Sequence, residues 1–129
     1  MIRKLQLTTL MMLVAAAGTF TATEAAGRFH FDLSGSEPEA DATVPAPDTV
    51  TLWFTEVPQE NSVSIRLVDA EGELVDASDA SQDPEDGRKF SVTPGATLVP
   101  GRYTVAWRGI GSDGHTVRGD FGFSVAPSR

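Results

Sequence analysis

His30 and His115 are the only imidazoles in this 129-residue chain. His115 closes the run Ser112-Asp113-Gly114-His115, with Asp113 two positions before it. On an extended backbone, residues i and i+2 leave the same face, so a carboxylate and an imidazole at this spacing form a small chelating pair. His30 lies far away in sequence, where a folded domain should begin. If the two ends of the chain meet, His30, Asp113 and His115 make a nitrogen-rich metal site suited to Cu(II). Asp-Gly is also a strong turn signal, and the two readings are compatible, because a turn can present a ligand. On these residues alone His115 reads as an ordinary surface turn histidine and His30 as an exposed residue near a chain end, since most lone histidines are not ligands.

Composition narrows the chemistry further. The chain has no cysteine, which removes thiolate zinc sites, Cu(I)-thiolate sites and iron–sulfur clusters, and leaves an apolar core to hold the fold alone. The formal net charge is −8. Setting aside Arg3, Lys4 and Glu24 leaves 8 basic against 17 acidic residues. Such a surface argues against nucleic acid or anionic membrane as a partner. No nucleophile–base pair, phosphate loop or zinc helix motif is present. The acidic stretch 76–86 lacks the ordered oxygen spacing of a calcium loop.

The amino terminus has the design of an export signal. Met1 to Lys4 carries positive charge, Leu5 to Ala17 carries none, and small residues follow. The apolar run is too short and weak to span a bilayer comfortably. Residues 1–25 are therefore expected to be a cleaved secretory signal, with one domain over 27–129, no membrane insertion after processing and a periplasmic location. Cleavage before Gly18, Ala26 or Arg28 would each satisfy the small-residue rule. Cleavage before Arg28 would make His30 the third residue, where a terminal amine, two backbone amides and the imidazole could also enclose Cu(II) in a plane.

The elements that must position these residues read as β-strands near 30–35, 49–54, 62–68, 73–76, 89–93, 102–108 and 116–125. Val50, Leu52 and Phe54 share one face of their strand; so do Tyr103, Val105 and Trp107, and so do Phe121, Phe123 and Val125. Trp107 should be the core tryptophan, while Trp53 alternates outward to cap an edge or lie near the site. Arg108 reads as a structural hydrogen-bond donor. Glu37 to Asp48 reads as a loop, and Asp76 to Lys89, the longest polar run, as a mobile surface loop. No helical stripe of useful length follows residue 27. About seven short strands in roughly 100 residues indicate an all-β, Greek-key sandwich or barrel.

Several spaced segments together resemble a known family. They are His30-x-x-Leu33-x-x-Ser36-x-Pro38, Val50-Thr51-Leu52-Trp53-Phe54-Thr55-Glu56, Leu98-x-x-Gly101-x-Tyr103-x-Val105-x-Trp107-Arg108, Ser112-Asp113-Gly114-His115, and Gly119-x-Phe121-x-Phe123-x-Val125. In combination they resemble the CopC-type periplasmic copper-binding domains of bacterial copper resistance systems, over about residues 30–125. The resemblance implies an immunoglobulin-like Greek-key β-sandwich that binds one Cu(II). It implies His30, Asp113 and His115 as copper ligands, with Glu56 added because in some members the glutamate after the second strand lies near the metal. It implies copper carriage or buffering by a non-enzymatic monomer, in some members beside a membrane copper transporter of the same system.

Two departures from the family pattern carry weight. All three methionines, Met1, Met11 and Met12, fall in the leader, so no thioether site for Cu(I) survives processing. Arg28 and Phe29 precede the first histidine, which leaves a terminal-amine ligand open. Two other functions compete with copper carriage. One is a copper-dependent oxidative enzyme with a histidine-brace-like site, which needs a free histidine amine. The other is a metal-free sandwich acting as an interaction module.

Overall fold

Alternation of apolar and polar residues dictates where strands can bury one face, and the computed structural model, which describes residues 30–128, follows it closely. Nine strands form: β1 (Leu33–Glu37), β2 (Thr43–Val44), β3 (Val50–Phe54), β4 (Ser64–Val68), β5 (Leu74–Val75), β6 (Ser81–Gln82), β7 (Lys89–Val92), β8 (Gly101–Ile110) and β9 (Thr116–Val125). They make two sheets, ordered β1-β3-β7-β6 and β2-β9-β8-β4-β5. The chain passes repeatedly from one sheet to the other, giving the β-sandwich expected from the sequence. The expected leader over 1–25 and its cleavage point lie outside the described residues.

The inward faces are those the alternation requires. Val50, Leu52 and Phe54 from β3 meet Tyr103, Val105 and Trp107 from β8 and Phe123 and Val125 from β9, all buried. Phe121 is partly buried against this cluster. Trp107 is buried as expected, at the centre of an aromatic group with Phe31 and Phe54. Trp53 faces outward under the ammonium of Lys89, 5.6 Å from the ring centroid, and caps the outer face of the smaller sheet.

Three expectations need correction. The first strand begins at Leu33 rather than residue 30, with a register irregularity between Leu33 and Gly35. The stretch 37–48 is not all loop: Thr43–Val44 pairs in parallel with Ser124–Val125. The polar run 76–89 is likewise tied down, since Ser81–Gln82 pairs with β7 and Ala77 bridges to Pro94. Both added strands are held by backbone hydrogen bonds, which any side chain permits. Two residues are too few to show a period.

The longest ladder positions the candidate site. β8 and β9 pair without interruption from Gly101 opposite Val125 to Ile110 opposite Thr116. The turn 111–115 is thus carried at the tip of a long, rigid hairpin.

Candidate metal centre

The hairpin tip folds back on itself. The Gly111 N–H donates to the His115 carbonyl (3.1 Å), and the Gly114 N–H to the Gly111 carbonyl (3.0 Å). Gly114 has φ +85°, a conformation that costs glycine little. Asp113 and His115 therefore meet through a turn, not through the two-residue periodicity of a strand. The His115 N–H donates to Asp113 Oδ1 at 3.0 Å, and His115 Nδ1 lies 3.0 Å from Asp113 Oδ2. The carboxylate grips its own turn with one oxygen and the imidazole with the other.

His30 reaches the same carboxylate from the far end of the sequence. Its Nδ1 is 4.0 Å from Asp113 Oδ2. What brings it there is Phe31, a residue the sequence reading did not single out. Phe31 is 2% exposed. Its ring stacks on Phe54 (centroids 4.7 Å apart) and meets Trp107 edge-on at 6.2 Å. Aromatic pairs of this kind contribute about 0.5–1.5 kcal/mol beyond area burial. The ring rests over Gly109, where an added Cβ would lie 2.6 Å from Phe31 Cζ. Burial of residue 31 thus fixes residue 30 beside the hairpin tip.

The loop after β3 clamps both partners. The Thr55 hydroxyl accepts from the Asp32 N–H (3.0 Å) and donates to the His30 carbonyl (2.9 Å). One position on, Glu56 Oε1 accepts from the Ser112 N–H (3.0 Å) and lies 3.3 Å from the Ser112 hydroxyl. Gln59 Nε2 donates to the Gly111 carbonyl at 3.1 Å. Gly111 has no room for a side chain, since its Cβ would fall 2.8 Å from Phe31 Cβ and 2.9 Å from Glu56 Oε1. Thr55 and Gln59 were missed as supports because hydroxyl and amide residues after a strand give no periodic signal. Glu56 was expected among the metal-binding residues; its observed partner is Ser112, in the turn that carries Asp113 and His115.

Electrostatics favour an ionised carboxylate at the centre. The His115 backbone N–H holds the Asp113 carboxyl below its usual range, partial burial opposes this, and the charges of His115 and His30 add to the lowering. A metal-ligating carboxylate must be deprotonated. The donor set of two imidazoles and one carboxylate suits a divalent first-row metal. Among the described residues no three His, Asp or Glu groups are preassembled as a metal cage. The side chains of His30, Asp113 and His115 are 62%, 41% and 78% exposed, so rotation of each can turn its donor atoms towards a common ion. Arg108, expected to be a structural donor, has no side-chain hydrogen bond among the described residues; it projects from the outer face of β8.

Comparisons with known proteins agree with this architecture. Residues 33–126 match the model of the CopC domain. Copper resistance protein C of Xanthomonas campestris pv. juglandis is 32% identical over 123 residues, covering 92% of this chain and 93% of that protein. Protein YobA of Escherichia coli K12 is 31% identical over 97 residues, 74% of this chain and 78% of its own. Among solved structures, CopC from Methylosinus trichosporium OB3b superposes with a TM-score of 0.71 at 32% identity, over 78% of this chain and 97% of that one. PcoC, a methionine-rich copper resistance protein from Escherichia coli, superposes with a TM-score of 0.68 at 28% identity, over 75% and 99%. With the sandwich, the hairpin tip and the matched span in agreement, the chain belongs to the CopC domain family.

Proposed function

We propose that this chain is an exported copper-binding protein that carries or buffers one Cu(II) in the periplasm. The observation that carries the reading is the convergence of His30 Nδ1 and His115 Nδ1 on a single oxygen of Asp113. The relatives named for copper resistance supply the identity of the metal. Cu(II) favours nitrogen and oxygen donors in a tetragonal arrangement, and His30, His115 and Asp113 offer that set. Cu(I) favours soft sulfur donors. PcoC is described as methionine-rich, whereas residues 13–129 of this chain hold no methionine and no cysteine. The charge pattern of residues 1–17 supports export.

In this role Glu56 orders the turn rather than ligating, since its Oε1 is engaged by Ser112. Metal is cargo here: the exposed side chains let the ion enter and leave from solvent. Protons compete for both imidazoles, so acid weakens binding at two ligands together. Binding rather than catalysis is the activity proposed, for a monomer that exchanges copper with a membrane transporter of the same system.

Titration of Cu(II) against a competing chelator tests the site, with electron paramagnetic resonance to count nitrogen ligands. One Cu(II) per chain with two imidazole nitrogens is expected, and no stoichiometric Cu(I). His115→Ala and His30→Ala should each weaken Cu(II) binding at least about tenfold, or 1.4 kcal/mol. Unchanged affinity in His115→Ala would remove the basis of the assignment.

A further inference from the structure

The outer face of the larger sheet gathers positive charge in an otherwise acidic chain. Inward positions of β4 and β8 are apolar, so Arg66, Arg102 and Arg108 point outward, and Arg118 joins them from β9. Every arginine of the described residues except Arg88 projects from this face. Arg108 stands directly opposite Arg118 in the ladder, with Ser64 on its other side, and Arg66 lies two residues further along β4. Directly opposed residues on neighbouring strands have Cα atoms about 5 Å apart, and like charges so placed destabilise a sheet.

Among the described residues no ion pair relieves that repulsion. Arg102 is paired with Asp41 at 3.1 Å. Arg66, Arg108 and Arg118 have no carboxylate within 4.0 Å among the described residues. Arg66, Arg108 and Arg118 line a groove of about 520 Å³ together with Ser64, Ala106 and Asp120. Among the described residues Asp120 forms no ion pair with them. The groove is open and runs across three rigid strands. Arg108 is three residues, about 10 Å of strand, from the turn that carries Asp113 and His115.

We infer that Arg66, Arg108 and Arg118 form a docking surface for an acidic, carboxylate-rich segment of a partner protein. Guanidinium groups take carboxylates in a bidentate fork. Three such groups spread over neighbouring strands fit several carboxylates along an extended segment better than one compact ion. An overall charge of −8 opposes a negatively charged bilayer, whereas a short segment meets only the local positive field. The repulsion between Arg108 and Arg118 is then a preformed demand for counter-charge. The inference is independent of the metal assignment, although its position would set a docked partner beside the hairpin tip.

Fluorescence anisotropy with a labelled hexaglutamate peptide tests it, at low ionic strength and with metal absent. The parent protein should bind the peptide, and added salt should weaken binding steeply. The triple variant Arg66→Gln/Arg108→Gln/Arg118→Gln should lose at least about tenfold in affinity, while Arg88→Gln should bind as the parent does. Arginine side-chain NMR shifts in the parent should move at these three residues on peptide addition, which needs no variant. No peptide binding by the parent, or equal binding by the triple variant, overturns the proposal. Competition by inorganic phosphate as effective as the peptide's own would instead define a small-anion site. Retention on phosphatidylglycerol vesicles in preference to the peptide would define a membrane surface. Either result overturns a peptide-docking face.

Discussion

The ring of Phe31 lies over the bare Cα of Gly109, so closely that a Cβ there would fall 2.6 Å from Phe31 Cζ and 2.7 Å from Cε1. That contact joins the start of the domain to the hairpin bearing Asp113 and His115. Gly109→Ala should therefore force the ring aside. Overpacking of this kind costs about 1–3 kcal/mol, and residue 30 must move with residue 31. We expect a lower Tm together with weaker Cu(II) binding, and a spectrum that has lost one imidazole nitrogen. A variant with normal stability and normal copper affinity would show that the ring and His30 are not coupled.

Thr55 gives a gentler test of the same arm. Its hydroxyl holds Asp32 N–H and the His30 carbonyl together. Thr55→Val keeps the shape and removes both hydrogen bonds, each worth about 0.5–1.5 kcal/mol net, and less at an exposed site. Faster hydrogen exchange at the Asp32 amide and several-fold weaker copper binding are expected, with Thr55→Ser restoring both. Exchange at Asp32 that stays as slow as in the parent would show that the arm is held by Phe31 and the backbone bond from Thr55 N–H to the Asp32 carbonyl, without the hydroxyl.

Glu56 can be assigned by comparing two substitutions. Gln keeps an oxygen that can accept from Ser112 but loses the charge; Ala loses both. If Glu56 acts as a clasp on the turn, Glu56→Gln should hold Cu(II) affinity within about threefold, under 1 kcal/mol, and Glu56→Ala should weaken it more. Equal and large losses in both variants would make the carboxylate a ligand.

These supports explain which parts of the molecule could be read in the sequence. The strands with three alternating apolar residues, such as Val50–Phe54 and Tyr103–Trp107, declare themselves because burial of one face imposes a period of two. Thr43–Val44 and Ser81–Gln82 do not, because two residues are too few to show a period, although Val44 packs against the core. His30, Asp113 and His115 stood out by residue type, and the structure does bring them together. The means of assembly were hidden. A turn, not strand periodicity, joins Asp113 to His115. The placement of His30 depends on Phe31, whose burial against Phe54 and Trp107 is a tertiary fact. The outer arginines were equally silent, since charge on an exposed face follows no pattern until the strands are aligned.

Acid stability should reflect Asp83 in the 76–89 segment. Its carboxyl is held below the usual 3.8 chiefly by the Glu85 backbone N–H, opposed by partial burial, with Lys89 and the Asp86 N–H adding to the lowering. A carboxyl whose folded value is depressed stabilises the fold above the unfolded value, and that contribution is lost as pH falls through the folded one. Asp83→Asn should therefore remove a stabilising contribution at neutral pH and flatten the loss of stability below about pH 4. Identical acid-unfolding curves for parent and variant would show that ionisation of Asp83 does not contribute to anchoring the segment.

Alkaline stability should reflect Tyr103. The side chain is buried and stacked on Phe123, with centroids 5.7 Å apart, and its hydroxyl donates to the Val99 carbonyl at 2.6 Å. Burial raises its pKa above 10.0, and the negative charges of Asp69 and Glu71 raise it further. Here the neutral form is the one the fold prefers. The contribution is therefore complete below the unfolded value near 10 and is lost as pH rises through the raised folded value. Tyr103→Phe removes both the ionisation and the hydrogen bond. It should cost about 0.5–1.5 kcal/mol near neutrality, yet lose less stability than the parent between about pH 10 and 12. Chemical denaturation across that range measures both effects, and parallel curves for the two proteins would mean that the Tyr103 hydroxyl ionises as readily in the folded as in the unfolded state.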